Sequence, residues 1–174
     1  MIYLFRRFIN ISHMLVNSQY YIAEFRSNNT NYYMLWQDER FLTGDGGPAF
    51  FNNIGEAKEF ISSNNLEADE SVTSYDLDQV TDLITKTEVS ENCRTILDCW
   101  NIFSDLSATT GEEFLGDDDI DENEHLFSKL VMGCNLPEIN NEEFHPVLDE
   151  EEQKHLTAVL NSGKTVFRKI ADSI

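Results

Sequence analysis

The sequence predicts an α+β fold, with an N-terminal antiparallel sheet and one or two helices followed by a mostly helical C-terminal half. Strand-forming runs crowd into the first half, and apolar residues at helical spacing fill the second. The regular strand–helix alternation that a doubly wound sheet needs does not occur. With 174 residues, 41% hydrophobic and 11% aromatic, the chain can bury a core without a disulfide or a metal. One domain over residues 1–174 is expected, sheet-rich over 14–85 and helical over 86–174. Met14 is an alternative start, which would leave 1–13 as a poorly ordered extension or an extra strand or helix.

Tyr20–Phe25 is rich in β-formers, and Tyr32–Trp36 follows the polar connector Ser27–Asn31, which suits a hairpin loop. Arg40–Thr43 reads as a third strand, Gly44–Pro48 as a turn, and Ala49–Phe51 as a short fourth strand. Asn53 lies three residues before Glu56, a variant of the capping box, and Ile54, Ala57, Phe60 and Ile61 recur at helical spacing up to a stop at Asn64–Asn65. Val72–Tyr75 predicts another strand and Asp76–Ile84 a short helix.

In the second half, Ser90 offers a cap for a helix striped by Cys93, Ile96, Leu97, Trp100, Phe103 and Leu106, with Gly111 at its C-terminal stop. Leu126, Phe127, Leu130 and Val131 form a second helical face, with Asp121 as its candidate cap. The last helix opens at Asp149, with Glu150, Glu151 and Glu152 at the positive end of its dipole. Gly163 is expected to bend or break that helix before Val166, Phe167 and Ile170.

Twelve basic residues face thirty-two acidic ones, for a formal net charge of -20. Such a chain repels phosphate backbones and anionic membranes, which disfavours nucleic-acid and membrane partners, and it attracts basic proteins. The odd cysteine set, Cys93, Cys99 and Cys134, has no metal or redox spacing and fits a reducing cytoplasm. Arg6 and Arg7 interrupt the apolar N-terminus, unlike a secretory signal, and no stretch reaches the length of a membrane span.

No cofactor, metal or catalytic residue is expected. Gly44–Gly47 lacks the lysine and capped helix of a phosphate loop. Asp117, Asp119 and Asp121 alternate like calcium ligands, but Glu122 stands where that loop needs glycine and Ser128 where it needs glutamate. His13, His125, His145 and His155 lack zinc spacing and read as surface residues. Among thirty-two acids some pair must lie close, so paired carboxylates carry no hydrolase signal.

Two readings of the acidic stretch stay open, a solvated loop and helix start or a surface that docks a basic partner. For docking, the candidate residues are Glu112, Glu113, Phe114, Asp117, Asp118, Asp119, Asp121, Glu122 and Glu124. Carboxylates accept bidentate hydrogen bonds from arginine, and an aromatic such as Phe114 can anchor an interface whose charges set specificity and on-rate. Asp149–Glu152 would serve equally if the fold brought it to the same face.

Tyr33–Thr43, Phe50–Asn52, Ala57–Phe60, Asp76–Asp78 and Thr95–Asn101 together cover about the middle half of the chain. In these stretches it resembles immunity proteins of bacterial contact-dependent growth inhibition systems. That resemblance implies a cytoplasmic, non-enzymatic protein. It would bind the basic toxin domain of its cognate effector one to one, often a nuclease, and block its active-site or substrate-binding surface. Members of that group differ in fold and in interface residues, so the resemblance implies no site position. The alternative is an acidic nucleic-acid mimic or regulator that binds a basic host protein; an adjacent effector gene would separate the two.

Overall fold

The computed structural model describes residues 19–37, 40–44, 47–85, 89–137 and 142–172. The expectations for residues 1–13, for Met14 as a start and for the Asp45–Gly46 part of the glycine-rich turn lie outside them.

β1 (Tyr20–Ser27) and β2 (Thr30–Gln37) form an antiparallel hairpin from Tyr21↔Trp36 to Ser27↔Thr30. Its two-residue turn needs left-handed backbone at both positions, and Asn28 and Asn29 supply it with φ of 52° and 59°. The Asp78 carboxylate accepts both turn N–H groups, at 3.0 and 3.3 Å, and these bonds hold its carboxyl below the usual range. β3 (Arg40–Phe41) and β6 (Phe50–Phe51) both pair antiparallel with β2. Between them, β4 (Thr43–Gly44) and β5 (Gly47–Pro48) make a separate small ribbon. The single strand expected over Arg40–Thr43 is therefore split, because Leu42 turns its N–H to Leu35 O and its C=O to Ala49 N.

β7 (Ala68–Asp76) pairs parallel with β1, from Tyr20↔Ala68 to Arg26↔Asp76. The sheet is mixed, which corrects the wholly antiparallel expectation. Parallel strands need a long crossover, and α1 (Ile54–Ser63) provides it between β6 and β7. Asn53 caps α1 as expected, accepting Glu56 N–H at 3.0 Å. The helix expected over Asp76–Ile84 shrinks to one turn, α2 (Asp82–Thr85). The Asp76 carboxylate accepts the N–H groups of Asp78 (3.1 Å) and Gln79 (3.2 Å) as a helix cap would. The backbone then closes i→i+3 bonds, Gln79 N to Asp76 O (3.3 Å) and Asp82 N to Gln79 O (2.8 Å), and makes successive turns before α2.

α3 (Val89–Thr110), α4 (Asp121–Gly133) and α5 (Glu150–Ala171) follow. α3 begins one residue ahead of Ser90, so that serine lies inside the helix and does not cap it. Gly111 ends α3 with φ 75° and an N–H bond to Ser107 O, as its position predicts. Ile120, not Asp121, is the N-cap residue of α4. Asp149 and Glu152 close a reciprocal capping box on α5. α5 runs through Gly163 as one helix, so the break expected there does not occur. A methyl group at 163 would fall on the ring of Phe103, so this glycine serves the close approach of α5 to α3.

The sheet separates two apolar layers. Ala23, Phe25, Met34 and Phe41 point toward α3, α4 and α5, joining Trp100, Phe103, Phe127 and Phe167 in one buried cluster. Phe167 ties the halves together, with ring centroids 5.2 Å from Phe25, 5.5 Å from Tyr32 and 6.1 Å from Phe50. Burying one such side chain contributes roughly 1.5–3 kcal/mol. On the other face Ile22, Leu35 and Ala57 form a smaller cluster with Phe51, Phe60, Ile61 and Val72 beneath α1.

Candidate docking surface

The acidic segment connects α3 to α4, and the fold holds it from behind. Lys169 Nζ donates to the Glu112 carboxylate at 2.5 Å, and Ser107 Oγ donates to Glu112 O at 2.7 Å. Leu115 N donates to Ser162 Oγ (3.1 Å) and Trp100 Nε1 to Gly116 O (3.3 Å). A one-turn 3-10 helix, Leu115–Asp117, then lets Ser104 Oγ donate to the Asp117 carboxylate at 2.5 Å. Gly116 has no room for a side chain, because a Cβ there would strike Phe114 and Trp100.

The central pin is Asn123, whose side chain is fully buried (0% exposed). Its Nδ2 donates to Leu115 O (2.7 Å) and Asp118 O (3.0 Å), and its Oδ1 meets His155 Nε2 at 2.8 Å. Because Oδ1 can only accept, His155 must carry its proton on Nε2. His155 thus holds the loop from α5 and is not the plain surface residue expected. Asn123 lies at helical spacing from Leu126, Phe127 and Leu130, which is the sequence signal that places it on the buried face of α4.

With this backing, Glu113, Asp117, Asp118, Asp119, Asp121 and Glu122 stand exposed, while Glu112 and Glu124 are half-buried. Phe114 does not join them. It is 3% exposed, packed edge-on against Trp100 (6.4 Å) and Phe103 (6.0 Å), so burial removes it as a surface anchor. Ile120, by contrast, is 37% exposed among the carboxylates. Sequence reasoning passed over it because a lone isoleucine between aspartates belongs to no periodic stripe.

The second acidic run meets α4 beside the first. Glu152 accepts Lys129 Nζ at 2.7 Å and lies 3.0 Å from His125 Nε2. Burial pushes its carboxyl up, but Lys129, the Asp149 N–H and His125 outweigh that and lower it. Asp121, His125 and Lys129 share one row at helical spacing, so both runs border the α4–α5 seam. Only Glu150 and Glu151 of the second run project outward with Asp149 at the helix start, since Glu152 is engaged in the seam. Beyond Gly133, Asn135 clamps Phe144 through Phe144 N–H (2.7 Å) and Phe144 O (3.0 Å), and Val147 stands 80% exposed.

Other chemistry is sparse among the described residues. No group of three or more His, Cys, Asp or Glu is placed to hold a metal ion, and no helix is long and apolar enough to cross a membrane. Burial pushes the thiols of Cys93 and Cys99 up to about 12 and that of Cys134 to about 11, so none is an activated nucleophile. His125 and His145 are exposed, each within 3.0–3.6 Å of a glutamate.

A recess of about 490 Å³ opens on the part of the α1 face of the sheet that this helix does not cover, lined by Glu24, Arg26, Asn29, Asn31, Ser74, Tyr75 and Asp76. Within this lining the Glu24 carboxylate accepts Ser74 Oγ (2.5 Å), Tyr33 Oη (2.5 Å) and Asn31 Nδ2 (3.1 Å). Those bonds, Ser74 foremost, hold the Glu24 carboxyl below the ordinary range.

No protein-family model, curated protein or solved structure matches the chain.

Proposed function

We propose that this chain is an immunity protein that binds and neutralises the toxin domain, a nuclease, of a contact-dependent growth inhibition effector. It would act by covering the active-site or substrate-binding surface of that domain. The observation that supports the reading best is the acidic edge around Ile120, exposed in front and pinned behind by Asn123. A preordered row of carboxylates around an apolar centre suits a nuclease cleft, which must itself be basic to hold phosphates. The net charge of -20 steers such a partner inward and raises its association rate. The sequence pattern of the middle half points the same way.

Co-expression with the toxin domain encoded beside this chain tests the proposal. Growth should be restored, and the two chains should co-purify one to one with an association rate that falls as salt rises. A toxin that still kills and does not co-purify would sink it.

A further inference from the structure

β7 closes one side of the sheet, and among the described residues no strand pairs with its outer edge. The ladder tells which amides that edge presents. Leu77 N donates to Arg26 O at 2.9 Å, and Tyr20 N donates to Glu67 O at 2.8 Å. The ladder is interrupted by a bulge between Asp69 and Val72, where Ser71 N–H turns to the Asp69 carboxylate at 2.8 Å. Beyond it, Thr73, Tyr75 and Leu77 turn their N–H and C=O toward β1, and those of Val72, Ser74 and Asp76 turn outward. The bulge blunts the edge before Val72, so the template for an added strand is the outward row of donors and acceptors from Val72 to Asp76.

The side chains of the same three residues lie on the α1 face of the sheet, in register with Ile22, Glu24 and Arg26. Val72 is packed under α1, whereas Ser74 and Asp76 line the recess together with Glu24. A strand laid on β7 would thus set alternate side chains beside that recess. The charge along β7 selects them: Glu67, Asp69 and Asp76 fall within ten residues containing no lysine or arginine. The recess adds Glu24, and its one cation, Arg26, already lies 3.7 Å from Asp76.

We propose that the outer edge of β7, with the recess beside it, accepts an extended basic segment of a partner protein as an additional strand. Main-chain bonds to Val72, Ser74 and Asp76 hold the segment, and its lysine or arginine side chains reach Asp76 and Glu24. The negative charge along β7 opposes the competing occupant, a second copy of this chain paired edge to edge. The choice of a basic segment rests on the reading of the chain as a binder of a basic protein; the open edge does not.

The test uses the full chain and a short capped peptide of alternating lysine and valine. Amide exchange at Val72, Ser74 and Asp76 should slow on adding the peptide. The peptide with alternating glutamate should bind worse, and one N-methylated along its β7-facing edge should bind on the order of tenfold more weakly per blocked amide. Val72→Pro removes an outward N–H and leaves the β1 ladder intact, so it should weaken binding similarly; the N-methylated peptide keeps the test sound should that variant not fold. Unchanged exchange at the three amides, equal binding of the acidic peptide, or a peptide-free dimer abolished by Val72→Pro would overturn the proposal. Peptide binding without rescue from the toxin would leave the edge and sink the immunity reading, whereas rescue without edge protection would do the reverse.

Discussion

Replacing Asn123 by alanine should cost about 3 kcal/mol of stability and loosen the acidic edge. The side chain is fully buried and makes hydrogen bonds of 2.7, 3.0 and 2.8 Å to Leu115 O, Asp118 O and His155 Nε2. Each is worth about 1 kcal/mol net, and truncation leaves two carbonyls and a ring nitrogen without their partner. For a chain of this length about 3 kcal/mol lowers Tm by roughly 6–12 °C. Urea unfolding followed by circular dichroism would show a lower midpoint with an unchanged slope, and amide exchange over residues 115–119 would quicken. Asn123→Asp sharpens the argument, because a carboxylate oxygen would then face the carbonyl oxygens that Nδ2 now satisfies. Burial favours the neutral acid and raises its folded pKa above the unfolded value of about 3.9. The penalty is therefore present at neutral pH, and the gap to the wild type narrows as the group protonates on acidification. An Asn123→Ala loss below about 0.5 kcal/mol would refute the reasoning, since that is the range of an uninvolved surface change.

Three further outcomes follow from the same geometry. Phe114→Ala should cost about 3–5 kcal/mol in urea unfolding, as for a core ring facing Trp100 and Phe103; a near-neutral result would return Phe114 to the surface. Ile120→Ser puts a favoured capping side chain at the N-cap of α4, so it should leave the fold at least as stable in urea unfolding yet weaken capture of the toxin domain. Unchanged capture in a pull-down titration would remove Ile120 as the anchor. Glu24 and Glu152 have folded pKa values held below the ordinary 4.5, so their contribution is complete above that value and is lost as pH falls through the lower folded ones. The unfolding midpoint should fall as pH drops below about 4.5, less steeply in Glu152→Gln; identical slopes would contradict it.

Where local chemistry decides structure, the elements were legible in the residues. Asn53 with Glu56, Asp149 with Glu152, and Gly111 mark helix ends through bonds formed within one turn, and each performs that role. The Asn28–Asn29 turn is legible for the same reason, because few other residues adopt left-handed backbone cheaply. Gly163 misleads because propensity reads a glycine as a weak helix former, whereas the approach of Phe103 requires one at that place. The parallel pairing of β7 was not legible either, since it depends on α1 carrying the chain across the sheet.

The acidic segment divides along the same line. Composition and spacing alone determined that this chain is strongly acidic, that its carboxylates concentrate between Glu112 and Glu124, and that they lack the glycine and glutamate of a calcium loop. Charge and spacing are properties of the chain before it folds. Only the tertiary structure decided that Phe114 turns inward and Ile120 outward, that Asn123 and His155 hold the loop, and that no strand among the described residues pairs with the outer edge of β7. Those outcomes depend on which surfaces α3, α4 and α5 bury against one another, and contacts between residues distant in sequence leave no local pattern to read.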